Sequence, residues 1–165
     1  MSDTTASGPV VIAYDGSTAA DAALAAGGRL LTSRRALVVV VWQPGIPFEL
    51  IELPTSTVGL PPVRIDWGRA VSMDRELADK MQLLADRGAK LASAAGFDDV
   101  EGLVAADEGD PPAGETIVRV AGELDAAVVV MGTHEYGRLS EIILGSTSRY
   151  VTVHAPCPIL LAHAD

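Results

Sequence analysis

One pattern in the sequence constrains the fold most. Short runs of β-branched apolar residues alternate with segments in which apolar residues recur at helical spacing. The first two runs are residues 9–14 and 36–42, and both have the uniformly apolar composition of strands buried on two faces. Between them, a turn at Asp15, Gly16 and Ser17, with Ser17 as the predicted N-cap, precedes apolar residues that recur at helical spacing from Ala20 to Leu31. A strand, a helix and a strand joined by short connections form a βαβ unit, which pairs its strands in parallel.

Three further apolar runs, residues 100–106, 126–131 and 158–162, predict the third, fourth and fifth strands. A long helix is predicted over 69–95 with Gly96 as its terminator, and Asp110 followed by Pro111 predicts the start of another. Residues 145–153 are rich in β-branched side chains, but a parallel return to the fifth strand requires a crossover, so a helix is predicted there. The chain is therefore predicted to be an α/β protein, a doubly wound, Rossmann-like sheet of five parallel strands with four helices.

Residues 43–68 interrupt this alternation of strands and helices. They contain five prolines, and their apolar residues sustain neither the helical nor the strand periodicity. They are predicted to be a long insertion in a single domain that spans residues 1–165. Trp42, Phe48 and Trp67 lie in or beside it, and they either anchor the insertion to the domain or belong to a ligand lid or a dimer contact.

Composition excludes several classes of function. A net charge of −10 with only two lysines argues against nucleic acid as a partner, and the adjacent Arg34 and Arg35 are expected at a helix end. No apolar run is long enough to cross a bilayer, so no membrane association is expected. The polar residues 1–8 do not resemble a secretory signal, and the lone Cys157 agrees with a reducing compartment, so a cytoplasmic location is expected.

Ligands of open parallel sheets bind beyond the carboxyl ends of the strands, where strand order reverses. Neither a P-loop nor a G-x-G-x-x-G turn is present, and the glycines cluster instead after the fourth strand. Gly132 and Gly137 would let the backbone approach a polyphosphate, and Gly145 with Ser146 at a helix start would direct N–H groups and a hydroxyl at the same anion.

Other kinds of site have little support in the sequence. The three histidines show no metal-ligand spacing with each other or with Cys157, and Ser17 and Ser146 lack a nearby histidine base. We therefore predict no metal site and no catalytic residue. His154 is expected to end a helix, and Cys157 to be a small core residue.

Residues 128–161 resemble the C-terminal signature of universal stress proteins, with the pattern G-x2-G-x9-G-[ST] after the fourth strand and a closing H-x-P-C-P run. Gly132 matches the first glycine, and Gly145 with Ser146 match the last two positions. Glu135 occupies the second glycine position, where a carboxylate repels phosphate, and Gly137 follows two residues later. The resemblance implies a bound ATP or AMP, with or without Mg²⁺, and a homodimer formed through residues 158–162.

The resemblance also implies roles for individual residues. Asp15 would approach the ribose or adenine, and the backbone near Val41 would read the adenine edge. The phosphates would be surrounded by Gly132, Thr133, Gly137, Gly145, Ser146 and Thr147. Arg138 is a nearby charge that could offset Glu135. Four simpler roles stay open: Asp15 caps the first helix, Ser146 is only an N-cap, Arg138 is a solvated surface residue, and the glycines serve only tight turns.

Three functions are compatible with these residues. The first is a stress-response regulatory protein, not an enzyme, that binds an adenine nucleotide as a switch. The second is a family member without nucleotide that acts only through protein contacts, which Glu135 favours. The third is a slow ATPase, for which Asp15 is the one obvious metal-binding carboxylate.

Overall fold

The computed structural model describes residues 8–31, 34–42, 67–106, 113–133 and 144–163. These residues form five strands, namely β1 (Val10–Ala13), β2 (Arg35–Trp42), β3 (Asp98–Ala106), β4 (Val128–Gly132) and β5 (Ile159–Ala162). They also form four helices, namely α1 (Thr18–Leu30), α2 (Trp67–Ala94), α3 (Ala113–Glu123) and α4 (Ser146–His154).

The strands make one parallel sheet in the order β3-β2-β1-β4-β5. The predicted α/β class, the parallel sheet of five strands and the four helices are thereby confirmed. Strand β1 lies between β2 and β4, so the chain leaves β1 toward one edge of the sheet and later returns to its other side. The carboxyl ends of β1 and β4 therefore mark the point where strand order reverses, which is where ligands bind in such sheets.

Side chains of β1 alternate between two apolar cores, one on each face of the sheet. Val10 and Ile12 face the core that α1 and α2 cover, whereas Val11 faces the core that α3 and α4 cover. All three side chains are fully buried. A central strand that is apolar on both faces is the pattern that predicted a doubly wound sheet.

The local signals for helix α1 are borne out. The Ser17 side chain accepts a hydrogen bond from the Ala20 N–H at 3.1 Å, as an N-cap does, and Ala23 and Leu24 are buried. Leu30, at the end of the predicted apolar stripe, is instead 68% exposed.

Helix α4 forms despite its β-branched composition, as the crossover requirement predicted. Val151 is fully buried against the sheet, and the Thr152 hydroxyl donates to the Ser148 carbonyl oxygen at 2.7 Å. His154 is the last helical residue, and its Nδ1 lies 2.9 Å from the Tyr150 carbonyl oxygen, which confirms its expected place at a helix end.

Two predictions about the chain's organisation need correction. The basic pair does not lie at a helix end, because α1 ends at Leu30 and Arg35 begins β2. There Arg35 lies within 3.2 Å of Asp99 and 3.7 Å of Glu101 in the neighbouring strand, so its charge is paired across the sheet. The predicted insertion also extends too far, since α2 already begins at Trp67; residues 43–66, with Phe48, lie outside the described residues.

Asp110 and Pro111, the predicted helix start, also lie outside the described residues, and α3 is described from Ala113 onward. Gly96, the predicted terminator of α2, has φ of 104° and follows the last helical residue by two positions. Such a left-handed conformation after a helix favours glycine, which confirms the prediction. In the part of the chain that the structure describes, no helix is long and apolar enough to cross a membrane.

Candidate functional site

A cleft of about 520 Å³ opens beyond the carboxyl ends of the strands at the point where strand order reverses. This volume lies within the range of sites that hold small molecules or cofactors. Strands β1, β2 and β4, the turn after β1 and the starts of α1, α3 and α4 contribute to its lining. Six of the nine predicted site residues lie around it, namely Asp15, Val41, Gly132, Gly145, Ser146 and Thr147.

The other three predicted residues are not brought to the cleft by the described structure. Thr133 is not among the lining residues and is only 4% exposed. Its backbone N–H donates to the Ala162 carbonyl oxygen at 2.9 Å, and its hydroxyl lies 3.5 Å from the same oxygen. Thr133 therefore joins the end of β4 to β5. Gly137 and Arg138, together with Glu135, lie outside the described residues.

The turn after β1 presents Asp15 at one side of the cleft. The Asp15 Oδ1 accepts a hydrogen bond from the Ser17 N–H at 2.9 Å, and Gly16 between them has φ of 79°. This is the geometry of an Asx turn with a glycine in the left-handed region. Ser17, not Asp15, caps α1, so the alternative in which Asp15 is the helix cap is wrong.

The start of α4 forms the polar side of the cleft. Gly145 is the N-cap and makes no side-chain hydrogen bond, whereas Ser146 is the first helical residue, so the alternative of Ser146 as the N-cap is wrong. The first N–H with an intrahelical acceptor is that of Arg149, which bonds the Gly145 carbonyl at 2.9 Å. The three preceding N–H groups lie at the positive end of the helix dipole. An anion in the cleft could accept hydrogen bonds from them.

Gly132 ends β4 beneath the first turn of α1. A Cβ atom at this position would lie 2.5 Å from the carbonyl carbon of Ala19 and 2.8 Å from the backbone nitrogen of Ala20. Because backbone atoms cannot rotate out of the way, the close contact between strand and helix requires glycine here. The Gly132 carbonyl also accepts a hydrogen bond from the Ser148 hydroxyl at 3.3 Å, which joins α4 to β4. Packing alone therefore accounts for this glycine.

The apolar walls of the cleft were not predicted as part of a site. Met81 and Leu84 of α2 line one side, and Ile117 of α3 lines another. All three belong to apolar residues at helical spacing in the sequence, a pattern that fits a helix face buried in the core as well as one that lines a cleft. Apolar walls with a few convergent polar groups are typical of sites that bind a flat, partly apolar ligand.

Comparison with known proteins identifies the family. The family model described as "Universal stress protein family" matches residues 60–163, which include α2, β3, α3, β4, α4 and β5. The chain belongs to the universal stress protein family. The matched range contains Gly132, Gly145 and Ser146, whereas Asp15 and Val41 precede it. No curated protein matches the chain.

Solved structures of universal stress proteins share the fold over nearly the whole chain. One from Archaeoglobus fulgidus has a TM-score of 0.62 and 23% identity, and covers 93% of this chain and 97% of its own. The Archaeoglobus fulgidus protein in complex with dAMP has a TM-score of 0.55 and 24% identity, with 93% and 96% covered. A universal stress protein in complex with cAMP has a TM-score of 0.61 and 18% identity, with 96% and 98% covered.

A hydrogen-bonded group at the cleft connects the residue after β1 with α1 and α2 in this universal stress protein. The Tyr14 hydroxyl donates to Asp21 Oδ1 at 2.6 Å, and Arg87 lies 3.2 Å from Asp21 Oδ2. Tyr14 lines the cleft and is 3% exposed. Burial of the phenol, followed by its hydrogen bond to Asp21 and the charge of that carboxylate, raises the pKa of Tyr14 to about 12.

The Tyr14 hydroxyl should make stability depend on pH in the alkaline range. Its folded pKa of about 12 lies above the ordinary value of 10.0, so the unfolded chain loses the proton first as pH rises. The contribution of the Tyr14 hydroxyl to the free energy of unfolding is therefore fully present below pH 10 and is lost between about pH 10 and 12. We expect the difference in unfolding free energy between the wild type and Tyr14→Phe to shrink across that window. Urea unfolding of both proteins from pH 8 to 11.5 measures it, and a constant difference would contradict the assignment.

Groups for covalent or metal chemistry are sparse in the described part of the chain. No group of three or more His, Cys, Asp or Glu residues there could hold a metal ion. Burial raises the pKa of the Cys157 thiol, which disfavours the reactive thiolate. Cys157 precedes β5 and is half-buried, so it packs against the edge of the core that α3 and α4 cover and not within the core as predicted.

Proposed function

We propose that this universal stress protein is a cytoplasmic stress-response regulator that binds an adenine nucleotide in the cleft as a switch. One observation carries the proposal: the cleft brings the uncapped start of α4, the Asp15 turn and the end of β2 around one space at the reversal of strand order. The structural neighbours that hold dAMP and cAMP support an adenine ligand. Residues 1–165 act as one domain in this proposal.

The cleft offers a separate environment for each part of a nucleotide. Met81 and Leu84 provide an apolar wall for the adenine ring, and the backbone near Val41 can pair with the edge of the base. Asp15 is positioned to accept a hydrogen bond from a ribose hydroxyl. The start of α4 at Gly145 then receives the phosphate.

We further propose a binding protein and not an enzyme. Hydrolysis of a phosphoanhydride needs a positioned water and stabilisation of the transferred phosphoryl charge, commonly by a metal ion. Among the described lining residues, Asp15 is the one carboxylate, and its Oδ1 already accepts the Ser17 N–H. A slow ATPase is the less favoured alternative, and Mg²⁺ in the site would enter as part of a nucleotide complex.

The proposal includes a homodimer formed through residues 158–162. Strand β5 lies at an edge of the sheet, and its four side chains are only half-buried in the single chain. The carbonyls of Pro158 and Ala162 point toward β4, so the alternate backbone groups face outward. An open edge of this kind can pair with a twin. Sedimentation equilibrium tests this part, and a monomer at every concentration would contradict it.

Small molecules released from the freshly purified, heat-denatured protein test the central proposal. Mass spectrometry should find an adenine nucleotide, and titration calorimetry of the stripped protein should show binding of an adenine nucleotide at one site per chain. Neither released nucleotide nor titration heat would contradict it. That outcome would instead favour the family member without nucleotide, which Glu135 supports because a carboxylate replaces the second glycine of the phosphate motif.

A further inference from the structure

We infer that Tyr14 is a positioning residue of the cleft: its hydroxyl, through Asp21, holds the turn that presents Asp15 to the ribose of the ligand. This role rests on the proposed function, since it concerns the same cleft and the same ligand. Three contacts support it, and they join Tyr14 to β2, to α1 and to α2.

The turn between β1 and α1 carries Asp15 as an exposed residue. Gly16 has φ of 79°, in a region that glycine enters and leaves at little cost. The position of the Asp15 carboxylate therefore depends on how firmly the two ends of the turn are held. The second end is held in α1, because the Ser17 carbonyl accepts from the Asp21 N–H at 3.0 Å and the Ser17 hydroxyl accepts from the Ala20 N–H.

Tyr14 holds the first end of the same turn, and three elements fix it. Its backbone N–H donates to the Val39 carbonyl oxygen at 2.9 Å, which extends the pairing of β1 with β2. Its ring packs on α2, where a Cβ atom at Gly88 would lie 2.8 Å from the Tyr14 Cδ1. Its hydroxyl donates to Asp21 Oδ1 at 2.6 Å, in the first turn of α1. The hydroxyl thus joins the first end of the turn to the helix that holds the second.

The Asp21 carboxylate is itself oriented, because each of its oxygens has a partner. Oδ1 accepts from Tyr14, and the Arg87 guanidinium of α2 donates to Oδ2 at 3.2 Å. The Asp21–Arg87 pair is partly exposed, so it orients the carboxylate and adds little energy of its own. Burial and the bond to Asp21 raise the pKa of Tyr14 to about 12, so the phenol remains the donor at neutral pH. Loss of the hydroxyl would therefore open a closed ring of bonds around the Asp15 turn.

Titration calorimetry of the stripped full-length protein near neutral pH, with AMP and with dideoxy-AMP, tests this role. We expect Tyr14→Phe to bind AMP at least about threefold more weakly than the wild type, because Asp15 no longer meets the ribose in a fixed position. Its affinity for dideoxy-AMP, which lacks both ribose hydroxyls, should stay within about twofold of the wild type.

The two ligands separate the possible failures. No loss in Tyr14→Phe, or a loss that is not confined to AMP, would overturn the positioning role and leave the proposed function standing. If the wild type bound neither ligand, the proposed function would be contradicted, and this role with it.

Tyr150→Phe is the matched control for loss of a phenol oxygen. Tyr150 is a half-buried residue of α4, and its ring stacks on that of His154 with 4.1 Å between the ring centres. This variant should bind both ligands as the wild type does. If it lost affinity for AMP alone, as Tyr14→Phe is expected to do, the effect would not be specific to the Asp15 turn and the inference would be overturned.

A double-mutant cycle tests whether Tyr14 and Asp21 act as one unit. Asp21→Ala removes the acceptor and should weaken AMP binding about as much as Tyr14→Phe does. Because both changes break the same bond, the protein that carries both should bind AMP no more than about twofold more weakly than either single variant. Additive losses would show that the two residues act separately, which would overturn the inference.

Discussion

Replacing Gly145 with valine should abolish adenine-nucleotide binding while leaving the fold intact. Gly145 lines the cleft and is the N-cap of α4, with φ of −61° and ψ of 167°. Valine adopts this extended conformation without strain, but its branched side chain would stand beside the first-turn N–H groups that receive the phosphate. Loss of two or three charge-assisted hydrogen bonds corresponds to at least about a 100-fold loss of affinity.

Titration calorimetry measures the affinity of Gly145→Val, and urea unfolding measures its stability. Valine is a poorer N-cap than glycine, so a loss of up to about 1 kcal/mol in unfolding free energy is expected. Gly122→Val is the matched control, since Gly122 lies on the exposed side of α3 and a Cβ there meets only Pro156 Cγ, at 3.9 Å. Wild-type affinity in Gly145→Val would remove the start of α4 from the site.

Replacing Gly132 with alanine should destabilise the protein by about 2–4 kcal/mol. The added Cβ would lie 2.5 Å from the Ala19 carbonyl carbon and 2.6 Å from its oxygen, and both atoms belong to the first turn of α1. Relief requires that α1 move away from β4, which would disturb the core packing of Ala20, Ala23 and Leu24. Urea unfolding measures the loss.

Gly122→Ala is the control for this second change. It adds the same methyl group on a helix, where alanine is favoured over glycine by up to about 1 kcal/mol, so equal or higher stability is expected. If Gly132→Ala were as stable as the wild type, close packing would not explain the glycine, and a direct role beside the phosphate would regain support. If Gly132→Ala is destabilised as expected, weaker nucleotide binding in that variant reports a displaced helix and not a lost phosphate contact.

Features encoded in neighbouring residues were predicted from the sequence. The strands at β1, β2 and β4 follow from uniformly apolar runs, and the Ser17 cap follows from its place before an apolar helix. Helix α4 could not be predicted from local propensity, because its β-branched residues favour a strand. It was predicted because two parallel strands, β4 and β5, need a crossover connection between them. The glycine spacing at Gly132 and Gly145 pointed to the family before any fold was known.

Contacts between residues that are distant in sequence follow from the packing of the elements and not from any local pattern. Asp21 and Arg87 are 66 positions apart, and no local pattern predicts that one carboxylate bridges Tyr14 and Arg87. Met81 and Leu84 look the same in sequence whether they face a core or a cleft, because both environments favour apolar side chains.

Within the predicted site, Gly132 and Thr133 also show which features a sequence pattern can predict and which depend on packing. A glycine at the carboxyl end of β4 could be predicted from the sequence, but the contact with Ala19 that requires it exists only once α1 packs on the sheet. Thr133 is polar and adjacent, yet its bonds to Ala162 join it to β5. Local periodicity determines which elements form, whereas the packing of elements distant in sequence decides which side chains line the cleft and which hold the sheet together.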